Sequence, residues 1–202
     1  FVLIFLFVYG GELARGYYGA AITIASIISY SSSLAFALYP RLLSESNIED
    51  VSISLKMVMM FAIPMTVGVM VLSDSYLAIL KLVYAEARPV LLLLAINVLF
   101  SSTSGVFSAI ISGTERIDAK AKIAFRELTK SRIFLLFTLP YIQSAITLPT
   151  TFFVLTSVAK TPLEAAIYLA LIILLANSAM LIATYTICLL YTSPSPRDRT
   201  RS

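Results

Sequence analysis

The side chains that most often perform catalysis are scarce in this sequence of 202 residues. It contains no histidine, and its single cysteine, Cys188, lies in an apolar run without a second cysteine to complete a redox or zinc motif. Its one acidic cluster, Glu45, Glu49 and Asp50, is typical of a solvated turn. We therefore expect no catalytic residue, no metal site and no cofactor, and a protein that is not an enzyme.

Three amide side chains lie inside long apolar runs, at Asn97, Gln143 and Asn177. Burying an amide in hydrocarbon is costly unless the group finds a hydrogen-bond partner. We therefore predict that these three side chains face protein or water rather than lipid.

Two stripes of polar residues recur at the three- and four-residue spacing of one helix face. One comprises Ser26, Tyr30 and Ser33, and the other comprises Asn97, Ser101, Ser104, Ser108 and Ser112. Small hydroxylated residues are the usual contacts between membrane helices, so such a stripe indicates either a close-packed seam or the wall of a wet cavity. Both interpretations stay open from the sequence.

The runs that hold these residues are long enough to cross a membrane. The chain is 59% hydrophobic and 13% charged, whereas soluble domains are about a quarter charged. Segments 17–39, 53–73, 90–112, 133–158 and 163–190 meet or nearly meet the requirement of about 20 apolar residues. Because no alternating strand pattern appears, we predict an all-α, polytopic transmembrane bundle of about five full spans, with residues 1–9 as a partial span.

The loops between these segments differ in basic charge. Loops 40–56 and 113–132 carry eight Lys and Arg residues, whereas loops 10–16, 74–89 and 159–162 carry four. The positive-inside rule then predicts a multi-pass protein of the cell (cytoplasmic) membrane with the first two loops inside. Segment 113–132 predicts a basic amphipathic helix on anionic headgroups, so we expect the lipid bilayer as a partner and no nucleic acid.

Both ends of the sequence have the character of a truncated chain. Residues 191–202 switch abruptly to Ser, Pro and Arg and resemble a translated sequencing adaptor, so we expect them to be non-native and disordered. Residues 1–190 begin within an apolar run without a cationic leader. We expect them to be a partial transmembrane bundle from a longer protein.

Three successive stretches carry a family resemblance. They read GELARGYYGAAITIASIISYSSSLAFALYPRLLSE, KMVMMFAIPMTVGVMVLSDSYLAILKLVY and ARPVLLLLAINVLFSSTSGVFSAIISGTERID. In this order they resemble the seventh-to-eighth, ninth and tenth helix regions of polysaccharide flippases, within the superfamily of multidrug, oligosaccharidyl-lipid and polysaccharide exporters. The likeness covers residues 11–132 and departs at Arg88, where family members often carry a longer glycine-containing turn.

This resemblance implies a transporter of 12 to 14 helices in two bundles, of which the chain forms most of the second bundle. The missing first bundle of the same polypeptide would then be its partner. The implied function is translocation of an oligosaccharide linked to a polyprenyl phosphate from the cytoplasmic to the outer leaflet, for cell-surface polysaccharide biosynthesis or protein glycosylation. The lipid-linked glycan is the expected substrate.

The resemblance also suggests which residues bind this substrate, because it places the helix with Ser26, Tyr30 and Ser33 at the bundle interface. Tyr30 could stack on a sugar ring. Arg15 could contact the phosphate, or it could anchor the helix end at the membrane surface. The full set of candidate substrate-binding residues is Arg15, Ser26, Tyr30, Ser33, Asn97 and Asn177.

Two other functions stay open. A multidrug or cation exporter of the same superfamily would share the fold, and its substrates favour an acidic residue in the cavity, which the apolar runs lack. A membrane-embedded enzyme of glycolipid synthesis would need paired carboxylates or a metal site, for which only the cluster at Glu45 offers candidates.

Overall fold

The computed structural model describes residues 4–5, 10–33, 48–114 and 132–192, and all regular elements among them are helical. The predicted all-α class is therefore confirmed for the described part of the chain. Most of the predicted amphipathic segment at 113–132 and the tail from residue 193 lie outside the described residues.

Six α-helices and two 3-10 helices have both ends within the described residues, and residues 4–5 and 30–33 are also helical. The α-helices are α1 (Gly11–Ala25), α2 (Ile48–Val71), α3 (Ser73–Leu80), α4 (Arg88–Thr114), α5 (Arg132–Ser157) and α6 (Pro162–Thr192). One 3-10 helix, Ser26–Ser29, continues α1, and the other, Leu82–Ala87, joins α3 to α4. The uncharged runs therefore predicted α2, α4, α5 and α6 to within a few residues at each end.

The start of α6 is fixed by a capping box. The backbone N–H of Glu164 donates to Thr161 Oγ1 at 3.2 Å, and the Glu164 carboxylate accepts from the backbone N–H groups of Lys160 and Thr161 at 2.9 and 3.3 Å. These bonds satisfy backbone donors that have no partner in the first helical turn. The capping box therefore starts α6 only a few residues after the end of α5.

Helix α4 lies at the centre of the bundle. It packs most extensively against α6 and also contacts α1, α2 and α5. A large apolar cluster surrounds its first half, with Leu91 and Leu94 fully buried, and a smaller one surrounds its second half, with Val106 and Ile111. Buried polar side chains at Asn97 and 102–104 lie between the two clusters. The bundle therefore has a polar layer across its middle.

The structure supports fewer candidate membrane spans among the described residues than the five predicted, so the five-span arrangement stays a prediction. Within the part of the chain that the structure describes, Leu82–Ala109 and Pro162–Leu189 are long and apolar enough to cross a membrane, and a third span arises if Leu55–Val71 and Ser73–Leu80 are counted together despite the 68° bend between them. Helix α1 has only 15 residues before the 3-10 helix begins. In α5, two prolines, Gln143 and several threonines dilute the apolar stretch.

Large apolar side chains are exposed on the outer faces of α2, α5 and α6. On α5 they include Phe137, Tyr141 and Phe153, of which Tyr141 is 76% exposed, and Val71 and Leu175 belong to the same class on the other two helices. Contiguous exposed apolar surface is unfavourable in water and favourable in lipid. This surface and the two long apolar helices together indicate membrane association.

Candidate functional site

A groove of about 320 Å³ opens between the end of α1 and the middle of α4, at the level of the polar layer. We call it the serine groove. Its polar lining comprises Ser26, Ser29, Ser32, Asn97, Ser101 and Ser102. Its volume lies at the lower end of the range typical of small-ligand sites.

The serine groove is not lined by the stripe that we predicted on this helix. Ser26 lines it as expected, but Ser29 and Ser32 take the places expected for Tyr30 and Ser33. The 3-10 helix Ser26–Ser29, which has three residues per turn instead of 3.6, places Ser29 on the same side as Ser26, and Ser32 follows within the α-helical residues 30–33. Tyr30 is 69% exposed and does not line the groove.

The three serines of this segment donate their hydroxyl hydrogens within the helix. Ser26 Oγ donates to the carbonyl of Thr23 at 2.7 Å, Ser29 Oγ to that of Ser26 at 2.5 Å, and Ser32 Oγ to that of Ser29 at 2.6 Å. Each hydroxyl has one donor and two acceptor lone pairs. Their remaining capacity toward the groove is therefore as acceptors.

A chain of three amide side chains joins α5, α6 and α4. Gln143 Nε2 donates to Asn177 Oδ1, and Asn177 Nδ2 donates to Asn97 Oδ1, both at 2.8 Å. Asn97 is 6% exposed and also lines the serine groove. The prediction that these amides face protein is confirmed, and Asn97 and Asn177 are in direct contact.

Gln143 is the member of this amide chain that sequence reasoning left out of the candidate site. The sequence contains one glutamine and three asparagines, and the glutamine and two of the asparagines meet here. The rarity of amides in the apolar runs could have grouped the three, but no spacing rule connects positions on three separate helices.

The polar stripe on α4 divides between the two interpretations that the sequence left open. Asn97 and Ser101 line the serine groove, as expected for a cavity wall. Ser104 instead lies 3.1 Å from Thr184 of α6, oxygen to oxygen, in a buried hydrogen bond. This second contact is a helix seam of the kind common between membrane helices.

Arg15 lies away from the serine groove. It is exposed on α1 and is separated from Ser26 by eleven residues, or about 16 Å at the helical rise of 1.5 Å per residue. Among the described residues it forms no ion pair. The structure therefore does not bring Arg15 together with the other candidate residues.

The same end of the bundle as Arg15 gathers three chain segments. Tyr17 Oη donates to Glu86 Oε2 at 2.8 Å and meets the Tyr84 ring edge-on. A Cβ on Gly10 would lie 2.7 Å from the ring of Pro162. Loops 10–16, 74–89 and 159–162, which we predicted on one side of the membrane, therefore share one end of the bundle.

Arg88, at the start of α4, forms an ion pair with α3. Arg88 Nη1 lies 3.1 Å from Asp74 Oδ2, and both side chains are more than half exposed. An exposed ion pair of this kind contributes little stability, up to about 1 kcal/mol. It links the start of α4 to α3 across the compact stretch 82–87.

A second groove, of about 420 Å³, lies between α5 and α6 on the outside of the bundle. We call it the α5–α6 groove. Its lining is apolar except for Gln143, Thr147 and Thr150. The hydroxyls of Thr147 and Thr150 donate to carbonyls four residues earlier in α5, at 2.9 and 2.8 Å.

Within the described part of the chain, no three His, Cys, Asp or Glu side chains lie close enough together to hold a metal ion. Comparison with protein-family models, curated proteins and solved structures gives no match to this chain.

Proposed function

We propose that the chain is part of a membrane flippase that translocates a lipid-linked oligosaccharide from the cytoplasmic to the outer leaflet. The observation that carries the proposal is the serine groove, in which hydroxyl acceptors and the Asn97 amide are held among apolar helices. A sugar headgroup brings many hydroxyls, each a donor and an acceptor, and cannot cross hydrocarbon without polar partners. The resemblance of residues 11–132 to polysaccharide flippases supports the same function.

In this proposal α1 with its continuation, α2, α4, α5 and α6 each cross the cell membrane. The end that gathers loops 10–16, 74–89 and 159–162 faces outside, because the other loops carry twice as many basic residues. A first bundle from the same polypeptide closes the groove, and the two bundles rock to expose it on alternate sides. The polyprenyl tail stays in the bilayer, and no covalent step is needed.

Within the proposal, Ser26, Ser29, Ser32 and Asn97 contact the sugar. Arg15 anchors the outer end of α1 at the headgroups, because it is exposed near that end of the helix and does not line the groove. The substrates of the alternative, a cation exporter, favour a carboxylate at the binding site, and the lining of the serine groove contains none.

Binding in lipid nanodiscs tests the proposal. The chain is reconstituted, and its affinity is measured for a radiolabelled polyprenyl-diphosphate-linked oligosaccharide, for the same lipid without sugar, and for the lipophilic cation tetraphenylphosphonium. We expect the glycolipid to bind more tightly than the other two. Equal affinity for the glycolipid and the sugar-free lipid, or tighter binding of the cation, would overturn the proposal.

Matched variants locate the site in the same assay. The triple variant Ser26→Ala, Ser29→Ala, Ser32→Ala removes acceptors from the groove and should weaken glycolipid binding about tenfold, if each lost hydrogen bond contributes about 0.5 kcal/mol. Ser33→Ala removes a neighbouring hydroxyl outside the groove and should leave the affinity unchanged. Translocation is then measured in proteoliposomes with the full-length polypeptide, from the exposure of the glycan to an external glycosidase.

A further inference from the structure

We infer that Gln143 and Asn177 are positioning residues for the serine groove. They hold the Asn97 side chain so that its NH2 group, rather than its carbonyl, faces the groove. The groove then selects a ligand with an acceptor oxygen at that point and disfavours an ammonium group there. The inference rests on the proposed function only for the identity of that ligand.

The first step of the argument is that Asn97 connects the groove to the amide chain. Asn97 lines the serine groove, whereas Asn177 and Gln143 do not. The Asn97 carbonyl is occupied by Asn177 Nδ2 at 2.8 Å. Its own Nδ2 makes no hydrogen bond to any described residue, so its N–H groups are the part of the amide left for a ligand.

The second step is that the groove itself favours this orientation. Ser26, Ser29 and Ser32 donate their hydroxyl hydrogens to backbone carbonyls, so they can only accept hydrogen bonds from the groove. An Asn97 carbonyl turned toward them would place acceptor against acceptor. Ser101 and Ser102 make no hydrogen bond among the described residues and can adapt to either orientation.

The third step is that Asn177 and Gln143, the other members of the amide chain, stabilise the same orientation of the Asn97 side chain. With Asn97 Oδ1 facing α6, Asn177 must donate to it, which leaves Asn177 Oδ1 in need of a donor. Gln143 Nε2 supplies that donor from α5 at 2.8 Å. Each amide then donates to the next one toward the groove, Gln143 to Asn177 and Asn177 to Asn97. Hydrogen bonds in such a series strengthen one another.

The direction of the hydrogen bonds in the amide chain, that is, which amide donates to which, can be measured without any ligand. Asparagine labelled with 15N in its side-chain amide and 13C in its carbonyl enters only three positions, two of which touch. In nanodiscs, solid-state NMR dipolar recoupling should detect 15N of Asn177 close to 13C of Asn97 and a weaker reciprocal contact. A stronger reciprocal contact, from 15N of Asn97 to 13C of Asn177, would overturn the inference whether or not the glycolipid binds.

A mutant cycle tests positioning against a general structural role. Gln143→Leu should weaken binding of the polyprenyl-diphosphate-linked oligosaccharide about threefold to tenfold, and should have no effect in an Asn97→Ala background because it acts through Asn97. Thr150→Val is the matched control, since Thr150 lines the same α5–α6 groove but bonds only within α5. It should change affinity in neither background.

The outcomes of the cycle separate the two proposals. An equal loss from Gln143→Leu in both backgrounds, or an equal loss from Thr150→Val, means that α5 acts through packing, and the positioning role is wrong. If the wild-type chain binds no glycolipid, the proposed function fails, and the NMR contact alone decides the positioning role.

Discussion

At the scale of single residues, Asn177 is the amide that makes hydrogen bonds to two other helices. It is the central member of the amide chain and uses both its oxygen and its nitrogen, toward Gln143 on one side and Asn97 on the other. Neither neighbouring amide has another side-chain partner among the described residues. Replacing Asn177 therefore removes two hydrogen bonds from three helices at once.

We expect Asn177→Leu to lower the free energy of unfolding in detergent micelles by about 1–2 kcal/mol, because it leaves the carbonyl of buried Asn97 and the amide N–H of half-buried Gln143 unpaired. Replacing Gln143, Asn177 and Asn97 together by Leu should cost less, since no polar group is then left unpaired. Ser178→Ala, whose hydroxyl bonds within α6, is the control and should be close to neutral. A triple variant less stable than the single one would contradict this account.

Gly11 illustrates a different residue-scale constraint, that of close backbone approach. A Cβ at Gly11 would overlap the carbonyl of Phe5, whereas a Cβ at Gly19 of the same helix would meet nothing within 4 Å. Gly11→Ala should destabilise the chain by about 1–3 kcal/mol. Gly19→Ala should instead stabilise it by about 0.5–1 kcal/mol through helix propensity. Thermal unfolding in micelles, followed by circular dichroism, would compare them, and equal effects would exclude the clash at Gly11.

At the scale of elements, the 3-10 helix after α1 brings Ser29 to the same side as Ser26 on the wall of the serine groove. Single cysteines at positions 26–33, in a Cys188→Ala background, would be exposed to a water-soluble thiol reagent in nanodiscs. We expect positions 26, 29 and 32 to react, because they line a polar groove, and position 30 to be protected in lipid. Reaction at 26, 30 and 33 would indicate a regular α-helix and would contradict the structure.

The helices were more predictable from sequence than the site. Uncharged runs bounded by charged residues gave α2, α4, α5 and α6, because apolar length and charge placement are local properties of the chain. Tyr30 lies outside the serine groove and Ser29 lines it, whereas an α-helical period was assumed through Ser26–Ser29, where the backbone has three residues per turn. Pairing of Gln143 with Asn177 depends on how α5 packs against α6, which no local pattern encodes.

At the scale of the whole molecule, the bundle is layered along its length. A large apolar cluster fills the end near Tyr17 and Tyr84, a smaller one fills the other end near Val58 and Phe107, and the polar layer separates them. Polar groups in such a middle layer are costly in hydrocarbon unless paired. Their placement beside an open groove is consistent with a site that accepts a polar ligand at mid-depth.

The arrangement of the helices across the membrane gives the last prediction. Arg15, Lys81 and Lys160 are exposed on loops or helix ends that meet at one end of the bundle, whereas Lys56 lies near the start of the bent helix pair. If that pair is a third span, Lys56 and Lys81 face opposite sides of the membrane. The bend of 68° alone would also allow a re-entrant path, which would leave both on the same side.

Cysteine labelling in intact cells separates these arrangements. With Cys188 replaced by Ala, we expect single cysteines at 15, 81 and 160 to react with a membrane-impermeant reagent from outside, and a cysteine at 56 to react only after the membrane is permeabilised. The reason is that the more basic loops stay inside, so the end with fewer basic residues faces out. Labelling of positions 56 and 81 from the same side would show that α2 and α3 form a re-entrant segment, and the five-span arrangement would be wrong.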